Sequence, residues 1–102
     1  MEAEILHIEE CPSWGPVGRD LREALDATGH ADVALTYTLL ESSDQAAAVP
    51  FAGSPTILID GTDLFPPARR ITDLACRVYP TANGLRARPT KEQIEQALAA
   101  RD

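Results

Sequence analysis

Cys11 and Cys76 are the only two thiols in the 102-residue chain, and redox chemistry starts with them. A thiolate attacks a disulfide sulfur, and its supply depends on how far the surroundings lower the thiol pKa. Cys11 follows the apolar run "AEILHIE" (3–9) and precedes Pro12, so a strand turns there into a helix. With Cys11 at the helix N-cap and Pro12 in the first helical position, unpaired N–H groups would face the sulfur and favour thiolate. Two features oppose this. Glu9 and Glu10 are adjacent negative charges, which disfavour ionisation. Pro16 is an alternative first helical residue, after a loop ending in Trp14-Gly15, and a helix starting there leaves Cys11 beyond most of the dipole. A start at Pro12 would instead put a kink at Pro16. Both starts are compatible with the sequence.

Other side chains around Cys11 carry two readings each. Ser13 is a donor to a thiolate or a simple cap. Trp14 is a flat apolar wall for a substrate or a packing residue that shields the sulfur. His7 lies within the strand and is expected to be a hydrogen-bonded sheet residue. His30, after Gly29, is expected in an exposed loop. Two cysteines and two scattered histidines show no ligand spacing for zinc, so no metal is expected. Cys76, between Ala75 and Arg77-Val78, is either a small buried hydrophobe or a working thiol. Its place in a long, basic, irregular segment favours the second, since such segments are often functional.

The elements that must hold these residues follow from periodicity. Residues 3–9 alternate as a strand. From Pro12 to Thr28, Val17, Leu21, Ala24, Leu25 and Thr28 share one helical face, and Gly29 supplies the stop. "DVALTYTLL" (32–40) is a second strand with Val33, Leu35, Tyr37 and Leu39 on one face. "SSDQAAAV" (42–49) opens with a capping-box spacing, Ser42 to Gln45, and gives a short helix that Pro50 ends. "PTILIDGTDLF" (55–65) is two strands around Asp60-Gly61. Residues 66–89 are expected to be irregular, with Pro66, Pro67, Pro80, Pro89 and an Asn83-Gly84 turn. Within them "CRVY" is a candidate short strand. The last helix begins at Thr90, with Gln93 completing a capping box, and buries Ile94, Ala97 and Leu98. The order is β-α-β-α-β-β-α, which implies one mixed sheet with helices on both faces.

The composition, 44% hydrophobic and 25% charged, is that of a single globular domain spanning 1–102. Met1 is followed by Glu2 and Glu4 and no apolar run approaches membrane-spanning length, so a cytoplasmic protein without membrane partners is expected. A net charge of −7 argues against nucleic-acid binding. The charge is uneven. Residues 1–44 hold ten acids and two arginines, whereas 64–91 set Arg69, Arg70, Arg77, Arg86, Arg88 and Lys91 against Asp73. This asymmetry is either two mutually attracting solvated faces or a basic rim over an anionic substrate or thiolate.

The element order, Cys11-Pro12 at the first strand–helix junction and "VPFAGSPTILIDG" (49–61) together resemble the thioredoxin superfamily. The likeness covers residues 3–65 and 90–101. More narrowly, the chain is similar to short bacterial thioredoxin-like proteins often labelled alkylmercury lyase, through Gly53-Ser54-Pro55-Thr56 and Cys76-Arg77-Val78-Tyr79. The resemblance implies a four-stranded thioredoxin-like α/β sheet with a cis-proline at Pro55. It implies that Cys11 and Pro55 lie side by side across antiparallel strands, with Ser54 pairing with an extended substrate. Strand four would then return Phe65 to the same edge of the sheet. The eleven residues from there to Cys76 can span well over 30 Å, enough for a meeting with Cys11. Arg77 and Arg70 are then the nearest candidates to stabilise a thiolate.

The first functional expectation is thus a thiol–disulfide oxidoreductase without a cofactor. Cys11 is the nucleophile and Cys76, or an external thiol, resolves the mixed disulfide. Pro12, Ser13, Trp14, Ser54, Pro55, Thr56 and Arg77 are the candidate substrate contacts. The partner would be a disulfide-bearing protein or a small thiol, and the protein itself a monomer or homodimer. The chain departs from the Cys-x-x-Cys pattern at Trp14. The alternatives are a non-catalytic thioredoxin-fold binding domain and organomercurial lyase-like or Hg(II)-binding chemistry on two soft thiolates. For the lyase, Trp14 occupies the place of the family's acidic residue.

Overall fold

The computed structural model describes residues 1–66 and 69–101. Pro67, part of the proline-rich segment expected to be irregular, lies outside the described residues, as do Ala68 and Asp102. The elements are β1 (Ala3–His7), α1 (Trp14–Ala27), β2 (Leu35–Leu39), α2 (Ser43–Ala47), β3 (Thr56–Ile59), β4 (Thr62–Asp63), β5 (Tyr79–Thr81), β6 (Gly84–Arg86) and α3 (Lys91–Arg101). The first four strands form one mixed sheet in the order β2-β1-β3-β4. β1 runs parallel to β2 and antiparallel to β3, and β3 runs antiparallel to β4. No helix among the described residues is long and apolar enough to cross a membrane.

Strand alternation sorts the core into two layers. Ala3, Ile5, Ile57 and Ile59 face α1 and α3, where Val17, Leu21, Leu25, Ile94 and Leu98 are buried. Leu6, Ile8 and Leu58 face the other way and pack with Leu40, Ala46, Phe51 and Cys11. Each fully buried Leu or Ile contributes roughly 1.5–3 kcal/mol, so these two layers fix the sheet between its helices.

Local chemistry sets the element ends. α1 stops where Gly29 takes φ +84 and His30 N–H donates to the Leu25 carbonyl at 2.8 Å, a left-handed C-cap. His30 is half-buried there, not exposed, with Nδ1 3.0 Å from Thr28 Oγ1. Asp60 (φ 53) and Gly61 (φ 80) are both left-handed, as a two-residue hairpin between β3 and β4 requires. Thr90 and Gln93 complete a reciprocal capping box at 2.8 and 3.1 Å.

Three further expectations change. β2 is an edge strand, so Tyr37 and Leu39 are exposed although Val33 is buried and Leu35 half-buried. α1 starts at neither proline: Trp14 is its first residue and Ser13 its N-cap, with Val17 N–H donating to the Ser13 carbonyl at 3.0 Å. Pro16 therefore sits in the first turn, where backbone N–H groups have no helical acceptor, and it costs no hydrogen bond. The 66–89 segment is also less irregular than its prolines suggest, because β5 and β6 pair as a hairpin turned through Ala82-Asn83.

Candidate functional site: the Cys11–Cys76 disulfide

The β1–β3 register pairs Leu6 with Thr56, so the chain leaving β1 runs beside the chain entering β3. Ile8 N–H extends that contact by donating to Ser54 Oγ at 3.1 Å. The Ser54-Pro55 peptide is cis, as expected. Cys11 follows at the end of this run, packed in the α2-side core. It precedes Trp14 by three residues and is not the N-cap that a start at Pro12 would have made it. Because the helix dipole acts within the first turn, α1 does less for this sulfur than a start at Pro12 would.

Cys76 is bonded to Cys11 as a disulfide, with Cα atoms 6.0 Å apart and a sequence separation of 65. Its backbone is held at the same place independently. Ser54 N–H donates to the Ala75 carbonyl at 2.9 Å and Arg77 N–H donates to the Ser54 carbonyl at 2.9 Å, an isolated parallel bridge between Ser54 and Cys76. The residues flanking Cys76 thus occupy both backbone groups of Ser54. The two cysteines differ in access: Cys11 is 2% exposed, whereas Cys76 is an exposed residue.

Arg77 and Tyr79 anchor this segment. Arg77 Nη1 lies 2.8 Å from Asp63 Oδ2, and both side chains are close to nine-tenths buried. Arg77 Nη2 also donates to the Phe65 carbonyl at 3.1 Å, and its guanidinium sits 4.5 Å from the Tyr79 ring centroid. Tyr79 Oη donates to the Pro55 carbonyl. Burial raises the Tyr79 pKa well above the ordinary value, with Arg77 pulling the other way more weakly. Gly53 makes the close approach possible. At φ +108, a Cβ there would lie 2.7 Å from Arg77 Cβ and 2.9 Å from its Cα.

The remaining candidates serve the chain itself. Thr56 is fully buried, its Oγ1 donating to the Gly53 carbonyl and accepting from Ala52 N–H at 3.1 Å. Pro12 and Ser13 form the turn into α1, and Ser13 makes no side-chain cap. Trp14 stacks on His7 with ring centroids 4.4 Å apart, and Tyr37 meets both rings edge-on. His7 differs from the expected hydrogen-bonded sheet residue: its buried Nδ1 has no hydrogen-bond partner among the described residues. Burial lowers its pKa below the ordinary value, and the backbone at Ile8 opposes this more weakly. Arg70 binds the Val49 carbonyl at 2.9 Å, beyond α2, and Arg77 binds Asp63. Among the described residues the guanidinium hydrogen bonds of both arginines are therefore to oxygen, not to the sulfurs for which they were candidates.

A cavity of about 670 Å³ opens beside Cys76, lined also by Ala52, Phe65, Arg69, Arg77 and Tyr79. Sequence reasoning missed Asp63, Tyr79 and Gly53 as site residues. For Gly53 a signal existed, since a glycine ahead of Ser-Pro marks a backbone position that another segment approaches. Comparison with protein-family models, curated proteins and solved structures returns no match for this chain.

Proposed function

We propose that the chain is a thioredoxin-like thiol–disulfide oxidoreductase whose redox couple is Cys11 and Cys76. The observation that carries this reading is the disulfide itself, set against the cis Ser54-Pro55 peptide at the end of β1. A staple would need only two cysteines at bonding distance. Here one cysteine of the pair is exposed, and noncovalent contacts hold its backbone in place, so the dithiol form keeps both sulfurs close. Such proximity gives the second thiol a high effective concentration for resolving a mixed disulfide. The β2-β1-β3-β4 sheet with α1 and α3 on one face and α2 on the other supports the thioredoxin-like assignment.

The test is intact mass with thiol counting on reduced and reoxidised protein. Oxidation should remove the mass of two hydrogens reversibly in the folded protein, and Cys11→Ser or Cys76→Ser should each abolish that change. A pair that takes up and gives back electrons only after unfolding would mark a disulfide-stapled binding domain instead.

A further inference from the structure

Resting on the redox-pair reading, the geometry points to Cys76, not Cys11, as the sulfur that exchanges with the outside, and to a small anionic disulfide as its partner. Three observations converge. Cys11 is 2% exposed within the α2-side core, whereas Cys76 is exposed and lines the adjoining cavity of about 670 Å³. Exchange needs in-line access to one sulfur, and access decides which sulfur is attacked. The backbone edge of Ser54 is already filled by the residues flanking Cys76, so an extended polypeptide has no free backbone there to pair with. That leaves a compact partner. Among the described residues the cavity lining includes Arg69 and Arg77 but no carboxylate, and Arg69 makes no ion pair or hydrogen bond. A disulfide carrying carboxylates fits that lining, with Arg69 as the available cation.

The step balances as two successive exchanges. The Cys76 thiolate attacks one sulfur of the small disulfide, forming a mixed disulfide and releasing the first thiolate. Cys11, deprotonated, then attacks Cys76 Sγ, forming the Cys11–Cys76 bond and releasing the second. Two electrons pass from the protein dithiol to the small disulfide, and two protons leave with them. Arg77 acts as a positioning residue: its contacts with Asp63 and Phe65 hold Cys76 in place when the covalent bond is open.

Two measurements test this on the full chain. Reduced wild-type protein is treated with limiting iodoacetamide and mapped by peptide mass. Cys76 should be alkylated at least about tenfold faster than Cys11. In parallel, Cys11→Ser is reacted with dianionic dithiobis-nitrobenzoate and with cationic cystamine, each rate normalised to a free-cysteine peptide. The anionic probe should be preferred, and Arg69→Gln should lower that preference about two- to fivefold. Faster labelling of Cys11 would overturn the exchange assignment while leaving the redox couple standing. No probe preference, or one that Arg69→Gln leaves unchanged, would overturn the anionic partner. Failure of both thiols to react until the protein unfolds would overturn the redox couple itself, and this inference with it.

Discussion

Breaking the Cys11–Cys76 bond releases a chain closure of 65 residues in the unfolded state. The chain-entropy relation for that length gives about 14–15 cal/mol/K, or about 4 kcal/mol near room temperature. Two features bear on whether the protein realises that value. The Cα separation of 6.0 Å lies inside the ordinary range for a disulfide, so the backbone need not shift to accommodate it. The Ser54 bridge and the Arg77–Asp63 pair hold the Cys76 segment independently of the bond, so the reduced protein is expected to keep its fold and the comparison is then between like native states. Residual structure in the unfolded chain lowers the figure, and about 3–4 kcal/mol is expected. Urea unfolding of oxidised and reduced wild-type protein measures it, and with a slope near 1–2 kcal/mol/M the midpoint should move by about 2–4 M. The same free energy must reappear by linkage: the folded protein should favour the disulfide over its unfolded chain by about 150- to 900-fold, about 60–90 mV in potential. A stability difference below about 1 kcal/mol, or equal disulfide preference in folded and unfolded protein, would refute the argument.

Three further perturbations have defined outcomes. Gly53→Ala places a Cβ against the Arg77 backbone at a left-handed φ; it should cost on the order of 2–4 kcal/mol and slow reoxidation, read by urea unfolding and thiol counting. Arg77→Ala leaves Asp63 largely buried without its partner and should cost about 2–4 kcal/mol, whereas the Arg77→Ala/Asp63→Asn double variant should recover part of it, which a double-mutant cycle measures. The depressed pKa of buried His7 contributes stability that is present above about pH 6.5 and lost as pH falls through the lower folded value. Emission from Trp14, the only tryptophan and stacked on that ring, should titrate with a midpoint below the ordinary histidine value, and His7→Phe should abolish the transition.

The sequence made the core strands and helices legible because each carries a local signal. Ile5, Ile57 and Leu21 alternate or repeat at the period of their element, and Asp60-Gly61, Gly29 and the Thr90–Gln93 box mark its ends. The site was legible in part. Cys11, Pro55 and Cys76 stood out by type, and Ser54 by its neighbour. What the sequence does not carry is long-range pairing. Arg77 reads as one cation of a basic stretch, and only tertiary structure sets it on Asp63 and Tyr79. The start of α1 escaped for a different reason. Pro12 and Pro16 are both permitted in a first turn, so residue type does not choose between them, and the helix begins between them at Trp14, whose ring stacks on His7. The β5–β6 hairpin escaped because Pro80 argues against a strand, yet an edge position tolerates it.

Whether the disulfide works or merely ties the chain is decided by how it opens in the folded protein. The direct measurement is the rate of reduction of native, oxidised protein at increasing concentrations of a small thiol, set beside the global unfolding rate under the same conditions. A working pair with Cys76 accessible predicts a rate that rises linearly with thiol and passes well above the unfolding rate. A rate that saturates at the unfolding rate would contradict it.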